Sequence, residues 1–135
     1  MVITPWDGAT KLYEHALNVR SAIHETVAAN IANEETPGYR ALQLPFKDAL
    51  HAVVRGEGPL LPTKTHARHL PVVLEGDQPF LHVTKPQEGG GPDENTVNLE
   101  EEMTRMAENN IMYMAVAQFL TGNFNSWRSA INEGR

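Results

Sequence analysis

The sequence predicts a mainly α protein. A long helix at each end, the two packed as an antiparallel coiled-coil-like pair, flanks a short irregular middle that holds a small β-hairpin. Three observations predict this. Residues 99–131 repeat apolar side chains in four-three alternation, and residues 9–34 do so more weakly. Residues 59–95 hold most of the prolines and glycines. The chain divides accordingly into an N-terminal helix over 1–35, an extended segment over 36–95 and a C-terminal helix over 96–135.

Residues 1–8 form a lead-in with Pro5 and Gly8 as breakers and Trp6 as a packing anchor. The first helix carries Leu12, Ala16, Val19, Ile23, Thr26 and Asn30 along one seam, with Val27 and Ile31 continuing it as it drifts. No proline or glycine interrupts Ala9 to Glu35, so this helix runs roughly 37 Å at about 1.5 Å per residue. His15 and His24 are not one turn apart and read as surface residues.

The helix stops in Ala28-Ala29-Asn30-Ile31-Ala32-Asn33-Glu34-Glu35-Thr36-Pro37-Gly38-Tyr39-Arg40. Asn30 and Asn33 are three apart and share a helical face. Pro37 disfavours the helical basin for Thr36, and Gly38 permits positive φ. Tyr39 follows as an aromatic anchor. By itself this stretch reads as a helix stop; two amides beside a rigid turn also suit a joint that bonds other chain segments.

Pro45 breaks the chain before a short helix over 46–55, with Phe46, Leu50, Val53 and Val54 on one face. The runs 70–74 and 80–84 are β-prone, and Gly76-Asp77 between them suits a tight turn, so a hairpin is expected. Pro71 and Pro79 place both arms at edges. Residues 86–95 read as a flexible loop.

The last helix is the clearest signal. Leu99, Met103, Met106, Asn110, Tyr113, Ala117, Leu120, Phe124, Trp127 and Ile131 alternate in steps of four and three, and nine of the ten are apolar. Asn98 is its expected N-cap, with Glu101 completing a capping-box-like pair. Glu100, Glu101 and Glu102 sit at the positive end of the helix dipole. Met112, Val116 and Phe119 form a second stripe at the same spacing. One partner helix cannot cover both stripes, which marks an interaction surface.

The composition excludes several functions. Net charge is −6, and the 11 Lys and Arg are scattered, so phosphate backbones would be repelled and no nucleic-acid partner is expected. The absence of cysteine removes thiol chemistry. No phosphate-cradling glycine loop and no nucleophile elbow occur. His66 and His69, with His82 nearby, are spaced to share a metal, but no carboxylate pair accompanies them. The reading is a non-enzyme with no cofactor, metal or small-molecule substrate. The first residues lack the basic and apolar regions of a cleaved secretory signal, and no run is long enough to span a membrane.

Ala29-Asn30-Ile31-Ala32-Asn33 followed by Thr36-Pro37-Gly38-Tyr39 resembles the N-terminal signature of the bacterial flagellar rod and hook proteins, Ser-Asn-Ile-Ala-Asn-x-x-Thr-Pro-Gly-Tyr, with Ala29 in place of the serine. Asn95 to Glu100, Ala107-Glu108-Asn109 with Tyr113, Phe119-Leu120 and Arg128 to Ile131 are similar to the same family. The short length, with Phe46 to Leu50 and Thr65 to Leu70, is nearest to its proximal rod proteins. The resemblance implies a structural subunit of the basal-body rod that polymerises through its terminal helices and transmits torque from the membrane ring to the distal rod and hook. It implies as partners other copies, other rod proteins, a membrane-ring protein and a small ring-rod adaptor. It also implies export through the flagellar type III apparatus without signal cleavage, to a periplasmic rod. On this reading Asn30, Asn33, Thr36, Pro37, Gly38 and Tyr39 set the joint. Leu99, Met103, Met106, Tyr113, Leu120, Phe124 and Trp127 face the N-terminal helix, and Phe119 faces a neighbour. A soluble helical adaptor or chaperone, binding a partner through the same amphipathic helices, is the competing reading.

Overall fold

The computed structural model describes residues 5–56, 82–83 and 94–133. Their order is α1 (Pro5–Ala32), β1 (Leu42–Gln43), α2 (Phe46–Val54), β2 (His82–Val83) and α3 (Leu99–Glu133). The expected 70–74 arm, His66, His69 and most of the 86–95 loop lie outside the described residues.

α1 starts earlier than its apolar pattern. Pro5 opens the helix instead of breaking it: the first helical position needs no N–H, and the proline ring presets φ. Gly8 is absorbed inside α1 and exposed, at a cost of about 1 kcal/mol relative to alanine. α1 ends at Ala32 and unwinds through tight turns. Asn33 N–H donates to the Asn30 carbonyl at 3.0 Å, Thr36 N–H to Asn33 at 3.1 Å, and Tyr39 N–H to Thr36 at 3.2 Å. Gly38 takes φ +70°, the left-handed conformation that a side chain would strain.

α3 lies alongside α1. Tyr13 stacks on Phe119, Arg20 bonds Asn109, and Asn30 bonds Glu102, so contacts descend α3 as they ascend α1. The buried cluster sits on the other flank of α1, where Val19 meets Ala49 and Ala52 of α2. Ile23, Leu44, Phe46, Leu50 and Val53 pack around it. The expected α2 face is thus nearly right. Alanines make the closest approach and Val54 points out, because only a short side chain lets the two helices come together. Pro45 precedes α2 without a side-chain cap.

Within the expected 80–84 arm, His82–Val83 forms β2, and the antiparallel partner found is β1, Leu42 opposite Val83 and Gln43 opposite His82, where the sequence reading expected the 70–74 arm. β2 therefore lies against the chain just after α1.

The seam of α3 differs from the one expected. Leu99, Met106, Leu120 and Trp127 are half-buried. Met103 is 58% exposed and Phe124 48% exposed, and Tyr113 also lies open. In their place Glu102 and Asn109 are buried, and half-buried Val116 and Asn123 continue that row at seven-residue spacing. Glu102 and Asn109 have partners on α1, which turns the helix toward them, whereas Asn123 Oδ1 is buried without a donor to it; the expected seam counted apolar side chains alone. Leu12, at the start of the α1 seam, is exposed as well.

Ala49→Leu should overpack the contact with Val19 and lower stability by about 1–3 kcal/mol. Val54→Leu, on the exposed side, should change it by less than about 0.5 kcal/mol. Urea unfolding followed by far-UV circular dichroism reads both; equal midpoints for the two variants would refute the placement of α2.

Candidate functional site

Three residues after buried Val27, Asn30 faces inward with no exposed surface. Its amide uses its full capacity. Nδ2 donates to the Leu42 carbonyl at 2.8 Å and to Glu102 Oε2 at 3.1 Å. Oδ1 accepts from Leu42 N–H at 2.9 Å and from the Tyr39 hydroxyl at 3.2 Å. The side chain thus exchanges two bonds with the Leu42 backbone, as a neighbouring strand would. One residue fixes the end of α1, the start of β1, the aromatic of the turn and the first turns of α3.

Asn33 acts locally. It donates to the Ala29 carbonyl at 2.7 Å and accepts from the Thr36 hydroxyl at 3.2 Å, which ties the turn to its helix. Pro37 and Gly38 are exposed and shape the bend.

The end of α1 leaves carbonyls without helical partners. Asn95 supplies the donor: its Nδ2 lies 3.0, 2.7 and 2.9 Å from the carbonyls of Asn33, Glu34 and Thr36. Its Oδ1 accepts from Val97 N–H at 2.8 Å. Thr96 N–H donates to the Tyr39 carbonyl, and its hydroxyl oxygen accepts from Ala41 N–H. Asn98 then caps α3 by accepting from the N–H groups of Glu100 and Glu101. Residues 95–98 therefore clasp the turn and start α3 in four steps.

Glu102 is a buried carboxylate, 2% exposed. Besides Asn30, it accepts from Arg105 Nη1 at 2.7 Å through Oε1. Arg105 also lies 3.9 Å from Glu101. With its amide oxygen turned toward Arg105, Gln43 accepts at 2.9 and 3.0 Å. Burial, and then the negative charge of Glu102, hold the Tyr39 phenol above its ordinary pKa, so Tyr39 remains a donor to Asn30.

A second polar contact lies up α1. Asn109 Nδ2 donates to the Arg20 carbonyl at 2.9 Å, and Arg20 Nη1 donates to Asn109 Oδ1 at 3.4 Å. The Arg20 guanidinium lies 3.9 Å over the Phe46 ring.

Of the residues singled out from sequence, Asn30, Asn33, Thr36 and Tyr39 come together in the joint. Phe119 is exposed apart from its stack with Tyr13. The sequence reading missed Asn95, Glu102, Arg105 and the Arg20–Asn109 pair. Unsatisfied carbonyls at the end of α1 were a signal for a donor such as Asn95. Glu102 and Asn109, seven apart on one face of α3, were a signal for a polar row.

Among the described residues no group of three or more His, Cys, Asp or Glu could hold a metal, and no helix is long and apolar enough to cross a membrane. The joint's polar side chains are turned on one another, which suits holding shape. Fold and site together define a mainly helical protein with an inward-turned polar joint. No model of a known protein family matches the chain. It is 33% identical over 135 positions to the flagellar basal body rod protein FlgB of Yersinia ruckeri, covering 95% of the chain and 96% of the relative. It is 32% identical to FlgB of Escherichia coli K12 over 133 positions, with the same shares. FlgB of Bacillus subtilis 168 is 29% identical over 139 aligned positions, covering 96% and 98%. The chain belongs to the FlgB family of flagellar basal body rod proteins.

Asn30→Asp removes both donors and sets a second carboxylate beside Glu102, so the loss should be on the order of 3 kcal/mol or more. Glu102→Gln in that background should recover part of it, which a double-mutant cycle measures. Tyr39→Phe should cost about 1 kcal/mol. A raised phenol pKa adds stability that is fully present below the ordinary value of 10.0 and is lost as pH rises through the folded-state value. The gap between wild type and Tyr39→Phe should therefore stay flat to about pH 9 and shrink above pH 10.

Proposed function

We propose that this chain is a structural subunit of the flagellar basal-body rod at its proximal end. Its terminal helices pack as an antiparallel coiled-coil-like pair and polymerise with other copies and other rod proteins to carry torque from the membrane ring outward. The observation that carries this reading is the uncovered apolar surface of α3: Ile111, Met112, Met114, Phe119, Phe124 and Ile131 are all exposed in the single chain. Surface of that extent is an interaction face, and a helix that among the described residues packs on one other helix leaves much of its circumference for neighbours. Load spread along long helices with several neighbours resists shear better than load on one loop contact. The FlgB relatives, named as basal body rod proteins over nearly their whole length, support the same reading.

In this proposal the joint at Asn30, Asn33, Thr36 to Tyr39 and Asn95 sets the angle between the helix pair and the middle segment. Met103, Tyr113, Phe119 and Phe124 contact neighbours, whereas Leu99, Met106, Leu120 and Trp127 stay against α1. The ring protein, a small ring-rod adaptor and the type III export apparatus are the further partners, and the chain reaches the periplasmic rod without signal cleavage.

Phe124→Asp and the pair Ile111→Asp with Met114→Asp should abolish swimming and leave the subunit out of purified basal bodies. Normal swimming of both variants would sink the proposal. A chain that folds cooperatively alone, stays monomeric at all concentrations and binds unassembled rod subunits would establish the adaptor reading instead.

A further inference from the structure

A cleft of about 310 Å³ opens between α1, the β1–α2 link and α3. Ile23, Val27, Leu44 and Phe46 form apolar wall, and Arg20 and Arg105 supply the cations. The two guanidiniums differ. Arg105 has Glu102 at 2.7 Å and Glu101 at 3.9 Å. Arg20 has no carboxylate within ion-pair distance among the described residues. Its nearest acceptor is Asn109 Oδ1 at 3.4 Å, a long contact, and its Nε is sealed from solvent without an acceptor.

Two features hold Arg20 in place. The Phe46 ring lies 3.9 Å below the guanidinium, and Asn109 grips both the Arg20 backbone and one side-chain nitrogen. Burial lowers its pKa from the ordinary value, yet a guanidinium stays charged at any physiological pH. The result is a fixed, partly desolvated cation with a spare donor in a cleft of side-chain size. Planar guanidinium in that state pairs best with a carboxylate, through two parallel bonds.

We propose that this cleft receives a carboxylate side chain from a second copy of the chain. Charge balance argues for this occupant. The chain has 17 acidic residues against 11 basic ones, so copies brought into contact repel unless cations stand at the contact. Exposed acids are plentiful: Glu14, Glu25 and Glu100 all lie in solvent. The cleft opens beside α1 and α3, and its apolar wall accepts the stem of the incoming side chain. This rests on the rod-subunit reading, because it needs copies in contact. Glu108 lines the same cleft and is the internal competitor for Arg20.

The test is self-assembly of the purified full chain, followed by sedimentation, with far-UV circular dichroism on each variant. Arg20→Gln and Arg20→Glu should keep the helical signal and raise the concentration needed for assembly at least tenfold, while Arg20→Lys should raise it less. One of Glu14→Arg, Glu25→Arg or Glu100→Arg, mixed in trans with Arg20→Glu, should restore assembly. The proposal is overturned if Arg20→Gln assembles at the wild-type concentration. Rescue by Glu108→Arg alone and only in cis also overturns it, as does failure of every reversed carboxylate in trans. If Arg20→Glu loses helicity, Arg20→Gln and Arg20→Lys carry the comparison. Wild-type chain that assembles only when another rod protein is added would also overturn the contact between copies while leaving the rod-subunit reading standing; wild-type chain that assembles with neither would fail that reading instead.

Discussion

Everything in this chain meets at the Asn30 amide. It is buried, neutral, and bonded at all four of its hydrogen-bonding positions. No other side chain fits. Aspartate lacks the donors, leucine lacks both donors and acceptors, and glutamine is one methylene too long for the same geometry. A buried amide that loses any of these partners incurs a desolvation cost of roughly 1–3 kcal/mol, so the four elements it touches are held together or released together. α2 follows at once, because β1 leads straight through Pro45 into it.

Register is the second consequence. A buried carboxylate is a weak source of net stability, since its desolvation cost offsets most of what pairing returns. Its effect is on choice. Slide α3 by one heptad and Glu102 loses Asn30, while Arg20 and Asn109 lose each other. A purely aliphatic seam tolerates such slips; a seam with polar partners at fixed positions does not. The helix pair is therefore aligned by its polar residues, with half-buried Leu99, Met106, Leu120 and Trp127 beside them on α3.

Much of this was legible in the sequence. The three helices were, because each has a periodic pattern and recognisable ends, and the positive φ at Gly38 follows from the turn. The joint was half legible: Asn30, Asn33 and Tyr39 stand within one short stretch. Their partners Asn95 and Glu102 lie 62 and 72 residues along the chain. The open carbonyls of α1 call for a donor and the Glu102–Asn109 spacing for a polar row, but neither signal names its partner across that distance. The seam of α3 was misread for a related reason. Periodicity ranks positions by hydrophobicity, and here the buried row contains Glu102, Asn109 and Asn123, while Met103 and Phe124 remain outside. Pro5 was read as a breaker because proline interrupts helices almost everywhere except their first turn.

That misreading carries its own lesson about function. An ordinary amphipathic helix hides its apolar stripe and shows its polar one. α3 turns a polar row toward α1 and leaves Ile111, Met112, Met114 and Phe119 open. For a chain that works alone this arrangement is poor, since apolar surface left in water forfeits about 25 cal/mol for each square ångström. In a polymer the same surface is where stability comes from. The polar row fixes the shape of one subunit, and the apolar rows gain their burial only when neighbours arrive. A lone chain of this design is expected to be marginal, and the proposed rod stiff if its neighbours cover the exposed rows. Internal polar contacts then determine which geometry the neighbours meet.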